Sequence, residues 1–208
     1  MMAGQGLKRC MGSAAREGAN GSRSRFEDLI IPHMQAAFNL AYWIVRNRAE
    51  AEDVVQDAYV RAFRGFSGLR SNSVKAWLLT IVRNTAYQAL QTRRRDAKVI
   101  VSSEDLKDRD REDVGETASP DQSAEDLLIA ASERQQLWSA LGELPVNYRE
   151  VIVLREMEGL SYNEIAEAMD VPIGTVMSRL SRARGELREI LTRRIPRQIG
   201  KQERAEIT

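Results

Sequence analysis

LSYNEIAEAMDVPIGTVMSRLSRAR, residues 160–184, holds two helical patterns separated by a short break. Ser161-Tyr-Asn-Glu164 has capping-box spacing, in which a serine hydroxyl and a glutamate carboxylate satisfy backbone N–H groups at a helix start. The helix that follows is expected to bury Ile165, Ala166 and Met169. Asp170-Val171-Pro172 ends it, because proline disfavours helical geometry in the residue before it yet suits the first turn of the next helix. In that second helix Val176, Leu180, Ala183, Leu187 and Leu191 share one stripe. Thr175, Met177, Ser178, Arg179, Ser181, Arg182 and Arg184 are left to face outward. A helix whose first two turns carry Arg and Ser suits the major groove of DNA, where Arg pairs with guanine and Ser bonds base edges or phosphate. An Arg-rich solvated helix end in an ordinary bundle is the plainer reading. The coincidence of cap, turn, stripe and basic face favours a helix-turn-helix.

A DNA-binding helix sits oddly in a chain of 208 residues with a net charge of +1. The charge is unevenly placed. Arg83, Arg93, Arg94, Arg95 and Lys98 stand against Asp96 alone, and residues 171–208 are again mainly basic. Residues 97–130 between them are strongly acidic, so a near-zero total hides two basic patches. The acidic segment has few apolar residues and no sustained period, and reads as a flexible linker between two small helical domains. A single bundle with a long surface loop is the other arrangement, disfavoured because structureless loops of that length are uncommon inside compact domains.

The rest of the composition narrows the class. Strand signals are scarce and apolar residues recur at three- and four-residue spacing, so the fold is read as all-α. One cysteine and one histidine make neither a disulfide nor a Cys/His metal site, which points to a cytoplasmic chain without metal or other cofactor. No apolar run reaches the ~20 residues that span a bilayer, so no membrane insertion is expected. Residues 1–24 lack the apolar segment of a signal peptide and read as a disordered tail, and residues 196–208 form a second tail.

Upstream of the helix-turn-helix, Leu141, Leu144, Val151, Ile152, Leu154 and Met157 supply helices for it to pack on, with Pro145 starting the second of them. Residues 26–47 read as one or two core helices through Leu29, Ile30, Met34, Ala37, Phe38, Ala41, Tyr42 and Val45. His33, after Pro32, marks a bend. Residues 49–63 bury Val54, Val55, Ala58, Tyr59, Ala62 and Phe63, and leave Glu52, Asp53, Gln56 and Asp57 as an acidic face. That face is either a solvated helix start or a partner site. A Gly- and Ser-rich loop (64–73) follows, and then a helix whose Val74, Leu78, Ile81, Val82, Ala86 and Ala89 face the core. On its other side Trp77, Thr80, Asn84, Tyr87 and Gln91 mix rings with hydrogen-bonding groups, and Arg93, Arg94 and Arg95 end it. Rings that stack on unpaired bases, amides that bond their edges and arginines that hold phosphate suit single-stranded nucleic acid. Taken alone, Trp77 and Tyr87 serve equally well as core aromatics.

DVVQDAYVRAF (53–63), VKAWLLTIVRNTAYQAL (74–90) and LPVNYREVIVLREMEGLSYNEIAEAMDVPIGTVMSRLSRAR (144–184), in that order, resemble the extracytoplasmic-function group of bacterial RNA polymerase sigma factors. The resemblance implies a region-2 domain over 25–96, an acidic linker over 97–130 and a region-4 domain over 131–195. It implies that Asp53, Gln56 and Asp57 dock on the clamp helices of the β′ subunit, and that region 4 meets the β flap. Trp77, Asn84 and Tyr87, with loop 65–73, would capture a base flipped from the downstream promoter element, while Arg93, Arg94 and Arg95 hold nearby phosphates. Thr175, Met177, Ser178, Arg179, Ser181, Arg182 and Arg184 would read the upstream element as duplex. Core polymerase, promoter DNA and an anti-sigma factor are the implied partners. Met177 and Ser181 depart from the basic and aromatic residues common at these places, which implies a different upstream sequence. A stand-alone transcription regulator is the alternative, but the N-terminal half shows neither a ligand pocket nor a phosphoacceptor motif. No nucleophile with a base or phosphate-cradling loop suggests an enzyme.

Overall fold

The computed structural model describes residues 23–66, 73–99 and 124–194, and every element among them is helical. Residues 1–22 of the expected N-terminal tail, the C-terminal tail, most of loop 65–73 and residues 100–123 of the expected linker lie outside the described residues, while Arg23 and Ser24 of that first tail are helical. Helix α1 (23–30) leads through a 3-10 turn at Ile31–His33 into α2 (Met34–Val45), followed by α3 (Arg48–Gly65) and α4 (Val74–Val99). Then come α5 (Ala124–Glu143), α6 (Val146–Ile152) with a π turn over Val153–Met157, α7 (Tyr162–Met169) and α8 (Ile173–Arg194). Both edges of the segment read as linker are therefore helical, since α4 continues to Val99 and α5 begins at Ala124.

In the N-terminal half α2, α3 and α4 pack on one another around Ile30, Leu40, Trp43, Leu78, Leu79 and Val82, all essentially inaccessible. In the C-terminal half Leu144, Leu154, Ile165 and Leu180 do the same for α5 to α8. Each such side chain contributes roughly 2 kcal/mol when fully buried. Exposed pairs such as Arg48–Glu52 on α3 are worth a few tenths, so apolar packing decides the architecture.

Four residues expected in the core are exposed by a third or more: Leu29, Met34, Phe63 and Met157. The 3-10 turn resets the helical phase, so Ala36, Ala37, Leu40, Ala41 and Ile44 form the buried stripe of α2 and Met34 falls outside it. Phe63 lies at a rim, where its ring meets that of Phe26 edge-on at 5.1 Å. Met157 ends the wider π turn, which rotates it away from the stripe that holds Val153 and Leu154. In α7 Ala168 is buried where Ala166 was expected, and Ile190 replaces Leu187 and Leu191 as the deepest residue late in α8.

The two halves touch. Helix α2 lies against α6, and α4 against α7. Trp43 of α2 stacks on Trp138 of α5 with ring centroids 5.0 Å apart and planes 7° from parallel. The Arg46 guanidinium lies 4.9 Å from the Trp43 ring centroid. It also fills the space where any Cβ on Gly142 would sit, 2.6 Å from its Nη2. Arg149 is buried beneath this contact and donates to the carbonyls of Leu141, Gly142 and Leu144 and, across the boundary, of Trp43. It thereby supplies a donor to carbonyls at the C-terminal end of α5, of which that of Leu141 also accepts the Leu144 N–H. Burial lowers its pKa to about 10, which leaves it charged at neutral pH.

Candidate nucleic-acid and polymerase interfaces

The C-terminal face is built on a complete capping box. The Glu164 N–H donates to Ser161 Oγ at 3.3 Å, and the Ser161 N–H donates to Glu164 Oε2 at 2.8 Å. The backbone bond from Ser161 is the main reason the Glu164 carboxyl titrates below its ordinary value. Asp170 ends α7 in the left-handed conformation, φ 52°, which Asp tolerates better than most residues. Thr175 and Val176 donate back to the Pro172 carbonyl to open α8. Val176, Leu180, Ala183 and Ile190 then anchor α8 on the bundle.

With those four turned inward, Met177, Ser178, Ser181, Arg182 and Arg184 are exposed in a row along the first half of α8, while Thr175 and Arg179 are half-buried. The Ser178 hydroxyl donates to the Thr175 carbonyl at 3.0 Å. Arg184 donates from Nε to Glu156 Oε1 at 3.2 Å, an exposed pair that holds it against the π turn. Arg182 reaches into open space. The expected duplex-reading residues are thus brought together, with Arg182 the least constrained and Arg184 tied back.

On α3 the acidic face is as expected. Asp53, Gln56 and Asp57 are all exposed, the last two one helical turn beyond the first, and Asn47 caps the helix by accepting the Glu50 N–H at 2.9 Å. The same stripe continues into Val60 and Phe63, each 49% exposed, so the acidic face has an apolar end.

Helix α4 departs most from expectation. Trp77 is half-buried beside Gly65, and the Thr80 hydroxyl bonds back to the Ala76 carbonyl at 2.8 Å rather than outward. Asn84 and Gln91 are exposed. Tyr87 turns toward the C-terminal half, where its hydroxyl donates to Glu150 Oε2 at 2.8 Å; burial and then this carboxylate push its pKa well up. Arg83 joins the same carboxylate, donating from Nε to Glu150 Oε1. Arg93 donates to Glu50 at 3.1 Å, which leaves Arg94 and Arg95 as the more open members of the terminal cluster.

Sequence reasoning passed over Glu150, Lys75 and Glu158, and counted Arg83 only as part of a basic patch. Lys75 pairs with Glu158 at 2.8 Å and also bonds its carbonyl, and Asn39 donates to the same carboxylate at 3.2 Å. These partners lie 63 to 119 residues apart, and no local pattern signals such a pairing. Among the described residues no group of His, Cys, Asp or Glu could hold a metal ion, and no helix is long and apolar enough to cross a membrane.

Comparison with known proteins gives two family matches. Sigma-70 region 2 covers residues 22–96 and Sigma-70 region 4 covers residues 134–187. The ECF RNA polymerase sigma factor SigE of Mycolicibacterium smegmatis is 32% identical over 81% of this chain, which spans 62% of that protein. The RNA polymerase sigma-H factor of Pseudomonas aeruginosa and the ECF RNA polymerase sigma-E factor of Escherichia coli are each 34% identical over 79% of this chain, covering 84% and 85% of their own lengths. Among solved structures, the sigma factor RpoE of Bartonella quintana, in complex with the anti-sigma factor NepR, superposes with a TM-score of 0.64 at 29% identity, covering 81% of this chain and 97% of that one. CnrH, in complex with the cytosolic domain of CnrY, superposes with a TM-score of 0.55 at 25% identity, covering 86% of this chain and 96% of that one. With both regions matched in order and relatives covered over most of their length, the chain belongs to the ECF group of RNA polymerase sigma factors.

Proposed function

We infer that this chain binds core RNA polymerase, directs it to specific promoters and starts strand separation there, under the control of an anti-sigma factor. The observation that carries the reading is the coexistence, on separate regions of one chain, of an exposed acidic face on α3 and an exposed Arg/Ser row on α8. A stand-alone regulator needs only the second.

In this reading Asp53, Gln56 and Asp57 meet the β′ clamp helices, and region 4 meets the β flap. Met177, Ser178, Ser181 and Arg182, flanked by Thr175, Arg179 and Arg184, read the upstream element as duplex in the major groove. Trp77, Asn84 and Tyr87 take a base released from the downstream element, with Arg93, Arg94 and Arg95 on the phosphates. Stacking that base offsets an unstacking cost of a few kcal/mol. The work is binding rather than bond-making, so the chain is not an enzyme, and it acts in the cytoplasm where polymerase is. The complex of RpoE with the anti-sigma factor NepR, and that of CnrH with the cytosolic domain of CnrY, support control of this chain by an anti-sigma factor.

Runoff transcription with core polymerase on a promoter library tests the reading. Transcripts that require the added chain and share an upstream and a downstream element are expected. Tight, sequence-specific binding of promoter duplex without polymerase, and no stimulated transcript with it, would instead identify a stand-alone regulator.

A further inference from the structure

One carboxylate joins the two halves of the molecule at the surface proposed to receive unpaired DNA. The Glu150 side chain has no solvent exposure and its Arg83 partner is 17% exposed. Arg83 and the Tyr87 hydroxyl take one oxygen each. The Arg83 guanidinium also lies over the Tyr87 ring, 4.8 Å from its centroid. An anionic oxygen held by an arginine beside an aromatic ring is the arrangement with which proteins grip single-stranded nucleic acid, phosphate on the guanidinium and base on the ring. Around it lie further polar contacts across the boundary, Lys75–Glu158–Asn39 and Arg149 on the Trp43 carbonyl, beside the apolar Trp43–Trp138 stack. Polar pairs of this kind are common where two domains of one chain meet. A buried ion pair also gains little net stability once desolvation is counted, so a competing phosphate can displace the carboxylate at small net cost.

We propose that Glu150 is a built-in stand-in for nucleic-acid phosphate. It latches region 4 onto the single-strand face of α4, and its release exposes Arg83 beside Tyr87 as a further phosphate contact. The inference rests on the reading of α4 given above and adds to it both a residue and a closed state. While the latch is shut, Tyr87 is occupied and α7, which carries α8 on its other side, lies against α4, so the two promoter-reading faces are not presented independently.

Small-angle scattering on the full chain, with near-ultraviolet circular dichroism of the stacked Trp43–Trp138 pair, reads closure. Binding of a fluorescein-labelled single-stranded DNA 12-mer reads the uncovered face. The wild-type chain should be closed at low salt. E150R and R83E should each raise the radius of gyration by several ångström and abolish the tryptophan coupling, and the double variant R83E/E150R should restore both. Far-ultraviolet dichroism verifies helix content; should E150R lose it, R83E probes the same contact from the other half. Single variants that stay closed, or a double variant that stays open, overturn the latch. E150A should bind the oligonucleotide about tenfold more tightly than wild type. An E150A chain that opens but binds it no better overturns the phosphate stand-in and the single-strand reading of α4 with it, while leaving an interdomain contact.

Discussion

Helices α8 and α4 each carry aligned arginines and polar groups on the side away from their own core, yet the molecule treats them differently. On α8 the row from Met177 to Arg182 is open, anchored from behind by Val176, Leu180 and Ala183. On α4, Tyr87 and Arg83 are closed over by Glu150 from the other half of the chain. A polar side chain on an open face costs the fold little and is available for recognition. The same kind of side chain on a closed face is part of what holds the structure together, so its substitution reports first on stability.

The sharpest way to break this contrast is Arg149→Met. It takes the guanidinium from four carbonyls, of which that of Leu141 keeps the Leu144 N–H, and should destabilise the chain by about 3 kcal/mol, read as a lower urea midpoint. Unchanged stability would mean that the closed side is not structural. On the open side, Asp57→Arg should leave that midpoint unmoved while weakening binding to core polymerase at least tenfold, about 1.4 kcal/mol. A folded variant that binds normally removes α3 from the polymerase contact. Arg182→Ala should likewise spare stability and weaken promoters by ~1–3 kcal/mol, unequally among upstream elements; an equal loss on all of them would identify a phosphate contact.

A smaller effect separates position from support. Ser161→Ala removes the acceptor for the Glu164 N–H and should cost about 1 kcal/mol of stability, with Arg182 still exposed. The pH dependence has a definite sign. Because the folded Glu164 pKa lies below its ordinary value, its stabilising contribution is complete above about pH 4.5 and is lost as pH falls through the folded value. Acid titration of thermal stability should therefore show a smaller decline for Ser161→Ala than for the wild type.

Much of this was legible from local pattern. Ser161, Glu164 and Pro172 announce a cap and a break within a few residues, and the stripe through Val176, Leu180 and Ala183 orients α8, so its exposed row follows directly. The acidic face of α3 follows for the same reason. Periodicity was less reliable at helix ends and rims: Met34 and Met157 each adjoin a turn that shifts the helical phase, and Phe63 packs edge-on at a boundary. What could not be read was the meeting of Glu150 with Arg83 and Tyr87. In the run NYREVIV an isolated glutamate reads as a solvated residue, and only tertiary packing brings α4 to it. Tyr87, placed on an outward stripe, is consequently turned inward.

Arg149 has a consequence for how easily the two halves part. Three of its four carbonyl partners, those of Leu141, Gly142 and Leu144, belong to its own half, and only the Trp43 carbonyl lies across the boundary. On separation the guanidinium stays coordinated and travels with α5 and α6, while Trp43 gives up its stack on Trp138 and one hydrogen bond that water can replace. The cation is preassembled in its own half, so parting requires no rearrangement around it. In the proposed opening, such a joint parts without disturbing the coordination of that guanidinium.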